Sequence, residues 1–203
     1  MVGERWALLV VRELLLGPKR FTDLRAGLPN VGPDVLAQRL RDLEAAGILR
    51  RHRLPPPAAL HVYELTDRGA ELEPVVLALG RWGSRTPVPD GDARLGPDAA
   101  VLALKTLFDP AAAGELEASY ELRLGEHVYR ARVAGGRLDV ARGAAEAPDA
   151  TIAAEPGTLA AVLWHGRRAG DLRVEGDRAA VRRFLGLFPL GGAPARPAPA
   201  RSR

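Results

Sequence analysis

The chain of 203 residues contains no cysteine, which excludes disulfides, thiolate metal sites and thiol redox sensing within it. It also lacks any uninterrupted apolar run of the roughly 18 residues that a membrane-crossing helix requires. Near the start, Glu4, Arg5, Arg12 and Glu13 interrupt the apolar residues, so a signal peptide is not expected and a cytoplasmic location is. The four histidines, His52, His61, His127 and His165, stand far apart without metal-ligand spacing and are read as surface or packing residues. There is no Ser/His/Asp set, phosphate-binding loop or glycine-rich dinucleotide turn in a supporting context, and Asp177 after Gly176 reads as a helix cap. No metal, no cofactor and no catalytic activity are therefore expected.

The length is comfortable for two small domains. Arginine far outnumbers lysine, with abundant Ala, Gly and Pro, a composition common in GC-rich bacterial genomes. The formal net charge is only +4, but it is unevenly spread. Residues 19–53 carry eight basic and four acidic side chains, whereas residues 87–190 carry 13 basic and 15 acidic ones. Positive charge gathered in the first third favours an anionic partner, and phosphate backbones are the usual one.

The basic region surrounds a segment, residues 32–46 (GPDVLAQRLRDLEAA), with the period of a helix. Leu36, Leu40 and Leu43 form one apolar stripe continued by Ile48, while Asp34, Gln38 and Arg41 lie on the far side and Arg39 and Asp42 on the flanks. Pro33 suits the first helical position and Gly47 a stop. Before it, residues 5–16 are apolar nearly all round, a buried helix ended by Gly17 and Pro18, and residues 21–28 form a second short helix with Phe21, Leu24 and Leu28 inward. Two short helices a few residues apart have the spacing of a helix-turn-helix. After it, residues 48–54 and 61–65 read as two edge strands joined by a proline-rich loop, which together would form a wing. Thr66 then caps a long helix with Leu72, Val75, Val76, Leu79 and Trp82 at helical period, which Pro74 should bend or start later.

Residues 84–97 hold three prolines and two glycines and read as a domain boundary. The domains are placed at 1–84 and 98–190, with a linker at 85–97 and a disordered Pro/Ala/Arg-rich tail at 191–203. In the second domain helices are expected at 99–108, 156–164 and 177–188. Strands are expected at 116–124, 127–133, 137–140, 150–154 and 171–175, with Gly125-Glu126 and Gly135-Gly136 at hairpin turns. The predicted fold class is α+β: an N-terminal winged helix-turn-helix domain followed by a small α+β domain with an antiparallel sheet.

Three blocks within residues 3–83, GERWALLVVRELLLGPKRFTDLRAGLP, VGPDVLAQRLRDLEAAGILRR and VYELTDRGAELEPVVLALGRWG, resemble the HxlR-type winged-helix transcription regulators. The resemblance implies a homodimer that binds operator DNA without catalysis; relatives carry a helix ahead of GERW that helps build the dimer. Residues 98–188, through ATIAAEPGTLAAVLWHG and DLRVEGDRAAVRRFLGLF, resemble a sterol carrier protein-like domain. That implies an apolar groove for a lipid-like effector between sheet and helices.

Double-stranded DNA, a second copy and an apolar small molecule are thus the expected partners. For DNA the candidates are Lys19, Arg20, Asp34, Gln38, Arg39, Arg41, Arg50, Arg51 and Arg53. Gln38 can pair with adenine and Arg39 or Arg41 with guanine, although either arginine can equally hold a phosphate or pair with Asp42 or Glu44. Arg50, Arg51 and Arg53 suit phosphates or the minor groove, and equally the charged edge that blocks aggregation. Lys19 and Arg20 stand where a phosphate clamp would form. Trp6 and Trp82 are candidates for core or dimer packing and Leu79 for dimer packing; Leu102, Leu159, Leu163 and Trp164 are candidates for the groove, with ordinary core the other reading of Trp164. An alternative reading makes the chain a carrier of lipid-like ligands, with the first domain a dimer or protein-binding platform.

Overall fold

The computed structural model describes residues 2–84, 96–164 and 168–189; the expected tail at 191–203 and most of the linker lie outside them. Helix α1 (Ala7–Leu14) begins later than the sequence indicates, because Trp6 has a left-handed backbone with φ 76°. Helix α2 (Phe21–Gly27) follows the Gly17-Pro18 break, with Leu24 and Leu28 buried and Phe21 half-buried. Helix α3 (Pro33–Ala45) starts on Pro33 and buries Leu36, Leu40 and Leu43. It ends in a Schellman turn in which the Ile48 amide donates to Leu43 O and the Gly47 amide to Glu44 O, each at 2.9 Å. Three buried leucines, each contributing roughly 1.5–3 kcal/mol, fix which face of α3 turns outward.

Strands β1 (Leu49–Arg53) and β2 (His61–Leu65) pair antiparallel, Arg50 opposite Glu64 and Arg51 opposite Tyr63. Lys19 adds a third short edge by bridging to Tyr63. The helix expected after Thr66 is divided into α4 (Asp67–Ala70), whose first turn Thr66 caps, and α5 (Glu73–Gly83), which Pro74 opens. A proline costs least in a first turn, so the chain restarts its helix there. Gly69 seats α4 on the wing: a Cβ there would stand 2.0 Å from Ile48 O, which already accepts the Thr66 amide at 3.0 Å. Gly69→Ala is expected to destabilise the fold by about 1–3 kcal/mol, measured as a lower urea midpoint; an unchanged midpoint would show that the seat yields.

The second unit comprises α6 (Pro97–Leu107), α7 (Pro110–Ala113), β3 (Ala118–Leu124), β4 (His127–Ala134), β5 (Arg137–Arg142), β6 (Ala150–Ala154), α8 (Pro156–Trp164), β7 (Arg173–Gly176) and α9 (Arg178–Leu185). Its sheet order is β5-β4-β3-β6-β7. The expectation of an antiparallel sheet needs one correction, since β3 and β6 pair parallel. The connection at residues 143–149 crosses the sheet face opposite the helices, tied down by the Ala145 amide on Glu121 Oε2 (3.0 Å) and the Asp149 amide on Ser119 O (2.8 Å). That crossing brings β6 beside β3 in the same direction. Tyr120, Leu122, Leu124, Tyr129 and Phe184 fill the core beneath the helices. No helix among the described residues is long and apolar enough to cross a membrane.

The two units share a seam. Leu16, at the end of the α1 region, is buried in the core of the second unit. Helix α6 lies along α5, where a Cβ at Gly80 would meet Thr106 Cγ2 at 3.2 Å and Arg81 Nε donates to Thr106 O at 3.2 Å.

Candidate nucleic-acid interface

The outward face of α3 carries exposed Asp34, Val35, Gln38 and Arg41. Gln38 is held in place from both ends: its Nε2 donates to Asp42 Oδ1 at 2.8 Å, and its Oε1 accepts from Arg41 Nη2 at 2.6 Å. Those bonds orient the amide and leave it at the surface. Arg39 behaves differently, being only 13% exposed and paired with Glu4 and, at 3.1 Å, with Asp42. Of the two arginines that the sequence left as alternatives, Arg41 is the one on the open face.

In the wing, Arg50 is neutralised by Glu64, to which its Nε and Nη2 donate at 3.0 and 2.7 Å. Arg51 lies over the Tyr63 ring, 5.9 Å from its centre, with its backbone amide on Glu44 Oε1. Arg53 donates to Ala59 O at 3.0 Å. Neither Arg51 nor Arg53 has an acidic partner among the described residues, so both keep an uncompensated charge.

Arg20 stays exposed and caps α2 together with Asp23, donating to its carboxylate at 2.7 and 2.9 Å. That hydrogen-bonded guanidinium holds the Asp23 carboxyl below the usual range. Lys19 is the main departure from expectation. It is 5% exposed, and its ammonium sits between Glu13 and Asp98, 2.5 Å from the latter. The physical cause is the bridge to Tyr63: pairing beside β2 turns the side chain inward, away from any phosphate. Conversely, Arg25 is exposed on α2 in the same basic region, a position outside the expected contacts that its place among the eight basic residues of 19–53 signals. Val35 is another such position; an apolar residue 45% exposed on α3 is its signal.

On α5, Val75, Leu79 and Trp82 are 47, 48 and 72% exposed and recur at i, i+4 and i+7. Core packing is thereby excluded for Leu79 and Trp82. Trp6 rests against the first core with the Arg5 guanidinium 5.0 Å from its ring centre. In the second unit Leu102 and Leu159 are buried in the sheet-helix core and Leu163 packs on it; of Trp164 only the helical backbone is described. Of the four groove candidates, Leu102 and Leu159 are thus core residues and Leu163 is partly buried against them. A cleft of about 570 Å³ lies on the opposite sheet face, lined by Ser119, Arg130, Arg132, Asp139 and Glu146 together with Ala131, Val140, Ala141 and Ala145.

Residues 1–89 match the HxlR-like helix-turn-helix family. The uncharacterized HTH-type transcriptional regulator YvaP of Bacillus subtilis (strain 168) is 36% identical over 84 residues, spanning 41% of this chain and 78% of that one. The HTH-type transcriptional regulator YodB of the same organism is 33% identical over 85 residues, spanning 42% of this chain and 76% of that one. Among solved structures, the redox regulator HypR in its oxidized form is 32% identical, covering 43% of this chain and 90% of its own, with a TM-score of 0.40.

Proposed function

The chain belongs to the HxlR-like helix-turn-helix family, and from that premise we propose that it is a DNA-binding transcription regulator acting as a homodimer. One observation carries the reading: α3 presents Gln38 and Arg41 outward, and two wing arginines without acidic partners among the described residues stand on the strand that follows. A helix with this face enters the major groove, where Gln38 addresses adenine and Arg41 guanine, and Val35 suits a thymine methyl. Arg20, Arg25, Arg51 and Arg53 supply phosphate or minor-groove contacts. Arg50 contributes less, since Glu64 already neutralises it.

Salt titration with any duplex tests this. If about eight phosphates are neutralised, log K falls against log salt with a slope near −7. A slope near zero would overturn the proposal.

A second copy is the proposed occupant of the Val75, Leu79 and Trp82 stripe. Trp82 alone leaves 72% of its surface to water, and an isologous contact would cover the same stripe on both subunits. Two copies of α3 would then meet successive major grooves about 34–36 Å apart. Trp82→Glu is expected to shift the protein toward monomer in sedimentation and to weaken binding to a two-half-site duplex. A dimer unaffected by this change and by Leu79→Glu would remove the stripe from the interface.

An effector reaching Leu102 and Leu159 would have to displace side chains of the sheet-helix core, and the carrier reading needs the same displacement. No feature of the core favours either over the regulator. Without cysteine, these 203 residues offer no thiol switch of the kind open to a redox regulator.

A further inference from the structure

A buried charge cluster spans the seam between the two units. Glu13 of α1, Lys19 and Asp98 of α6 are each 5% exposed or less, and all three are ionisable. Lys19 bridges Glu13 and Asp98. Asp98 in turn accepts from the Tyr129 hydroxyl of β4 at 2.5 Å and from Arg142 of β5. Arg12 donates to Glu13 Oε1 at 2.8 Å from the wetter side. Such a set is costly to bury, and removing one member leaves the others uncompensated.

Lys19 has a second attachment, through its backbone. Its amide donates to Tyr63 O at 2.9 Å, and its carbonyl accepts the Tyr63 amide at 2.8 Å. Tyr63 stands in β2 at the stem of the wing and carries Arg51 against its ring. The next residue, Arg20, caps α2. One residue therefore joins the sheet of the second unit to the wing stem on one side and to the helix-turn-helix on the other.

We infer that Lys19 couples the seating of the second unit to the shape of the DNA-facing surface, with Asp98 a positioning residue for that surface. The inference rests on the DNA-binding reading for its consequence, but not for its mechanics. An ammonium bonded to Asp98 holds residue 19 in register with Tyr63, and the wing stem inherits that position. When Asp98 loses its charge, Lys19 is drawn to Glu13 alone and the two backbone bonds to Tyr63 open more often.

The test uses the full chain with Asp98→Asn, and with Tyr129→Phe as the milder variant should Asp98→Asn not fold. Two quantities are read: amide hydrogen exchange at Lys19 and Tyr63, and affinity for a random-sequence duplex. Lys105→Gln is the control, because it breaks a different cross-seam pair, that of Lys105 with Glu73. Expected is faster exchange at Lys19 and Tyr63 and a loss of about fivefold or more in DNA affinity, the lower range of ordinary site-to-site coupling, with the control changing neither. Unchanged exchange at both amides would overturn the inference, as would an equal effect from Lys105→Gln, which would mean that the whole seam had loosened. If the unaltered protein binds no duplex, the DNA-binding reading fails separately, and exchange alone decides the coupling.

Discussion

Asp98→Leu is expected to lower the unfolding free energy by about 3–5 kcal/mol, the usual cost of breaking a buried ion pair by removing one partner. The substitution leaves the buried Lys19 ammonium with Glu13 alone and strips the Tyr129 hydroxyl of its acceptor. Denaturant unfolding measures it. A loss below about 1 kcal/mol, the range of exposed pairs, would mean that water enters the cluster and takes over its bonds. Acidity provides an independent check. Burial pushes the Asp98 carboxyl up, but Lys19, the Tyr129 hydroxyl and Arg142 outweigh it and hold it below its ordinary value. A depressed carboxyl stabilises the fold above its unfolded pKa of about 3.9, and that contribution is lost as pH falls through the folded value. The unaltered chain should therefore lose stability on acidification below about pH 4 more steeply than Asp98→Leu does. Burial and the neighbouring Asp98 carboxylate push Tyr129 up, so its hydroxyl remains a donor throughout.

Arg41→Ala is expected to weaken binding to a preferred site by about 1–3 kcal/mol, roughly 5- to 150-fold, and to flatten base preference at one position. Gln38→Ala should act in the same manner at a neighbouring base, and more strongly than its exposure suggests, since it also releases Arg41. Arg53→Ala should instead weaken all duplexes alike and reduce the salt slope by about 1. Site selection from a random pool, followed by titration at several salt concentrations, separates the two behaviours. Unaltered affinity and preference in Arg41→Ala would remove that side chain from the base-reading set. Arg39→Ala makes a useful contrast: its guanidinium is engaged by Glu4 and Asp42, so its main effect should fall on stability.

Much of the first domain is legible locally. The start of α3 on Pro33, its stop at Gly47 and its inward leucines are short-range facts about backbone freedom and period, and the structure repeats them. Pro74 likewise marked where the last helix of that domain restarts. Lys19 was not legible, because a loop residue carries no period that tells inside from outside. Its partner Asp98 is 79 positions away, across a boundary that composition marks as a separation. The parallel β3–β6 pair was hidden for a related reason: alternation fixes which face a strand buries, but not which neighbour it chooses or in which direction.

The helix-turn-helix spacing, the outward face of α3, the lack of thiols and the alternating strands of the second unit are all readable in the residues alone. All of these depend on residue type and on neighbours within a turn or two. Packing between distant elements settles that Arg41 rather than Arg39 stands exposed on the α3 face, that Glu64 neutralises Arg50, and that Leu102 and Leu159 lie in the core of the second unit. Packing likewise turned Lys19 from an expected phosphate clamp into a buried ion-pair partner of Asp98 in the second unit. The physical reason is the same in each case. A charge is satisfied by whatever approaches within about 4 Å in space, and that distance is set by how the elements pack.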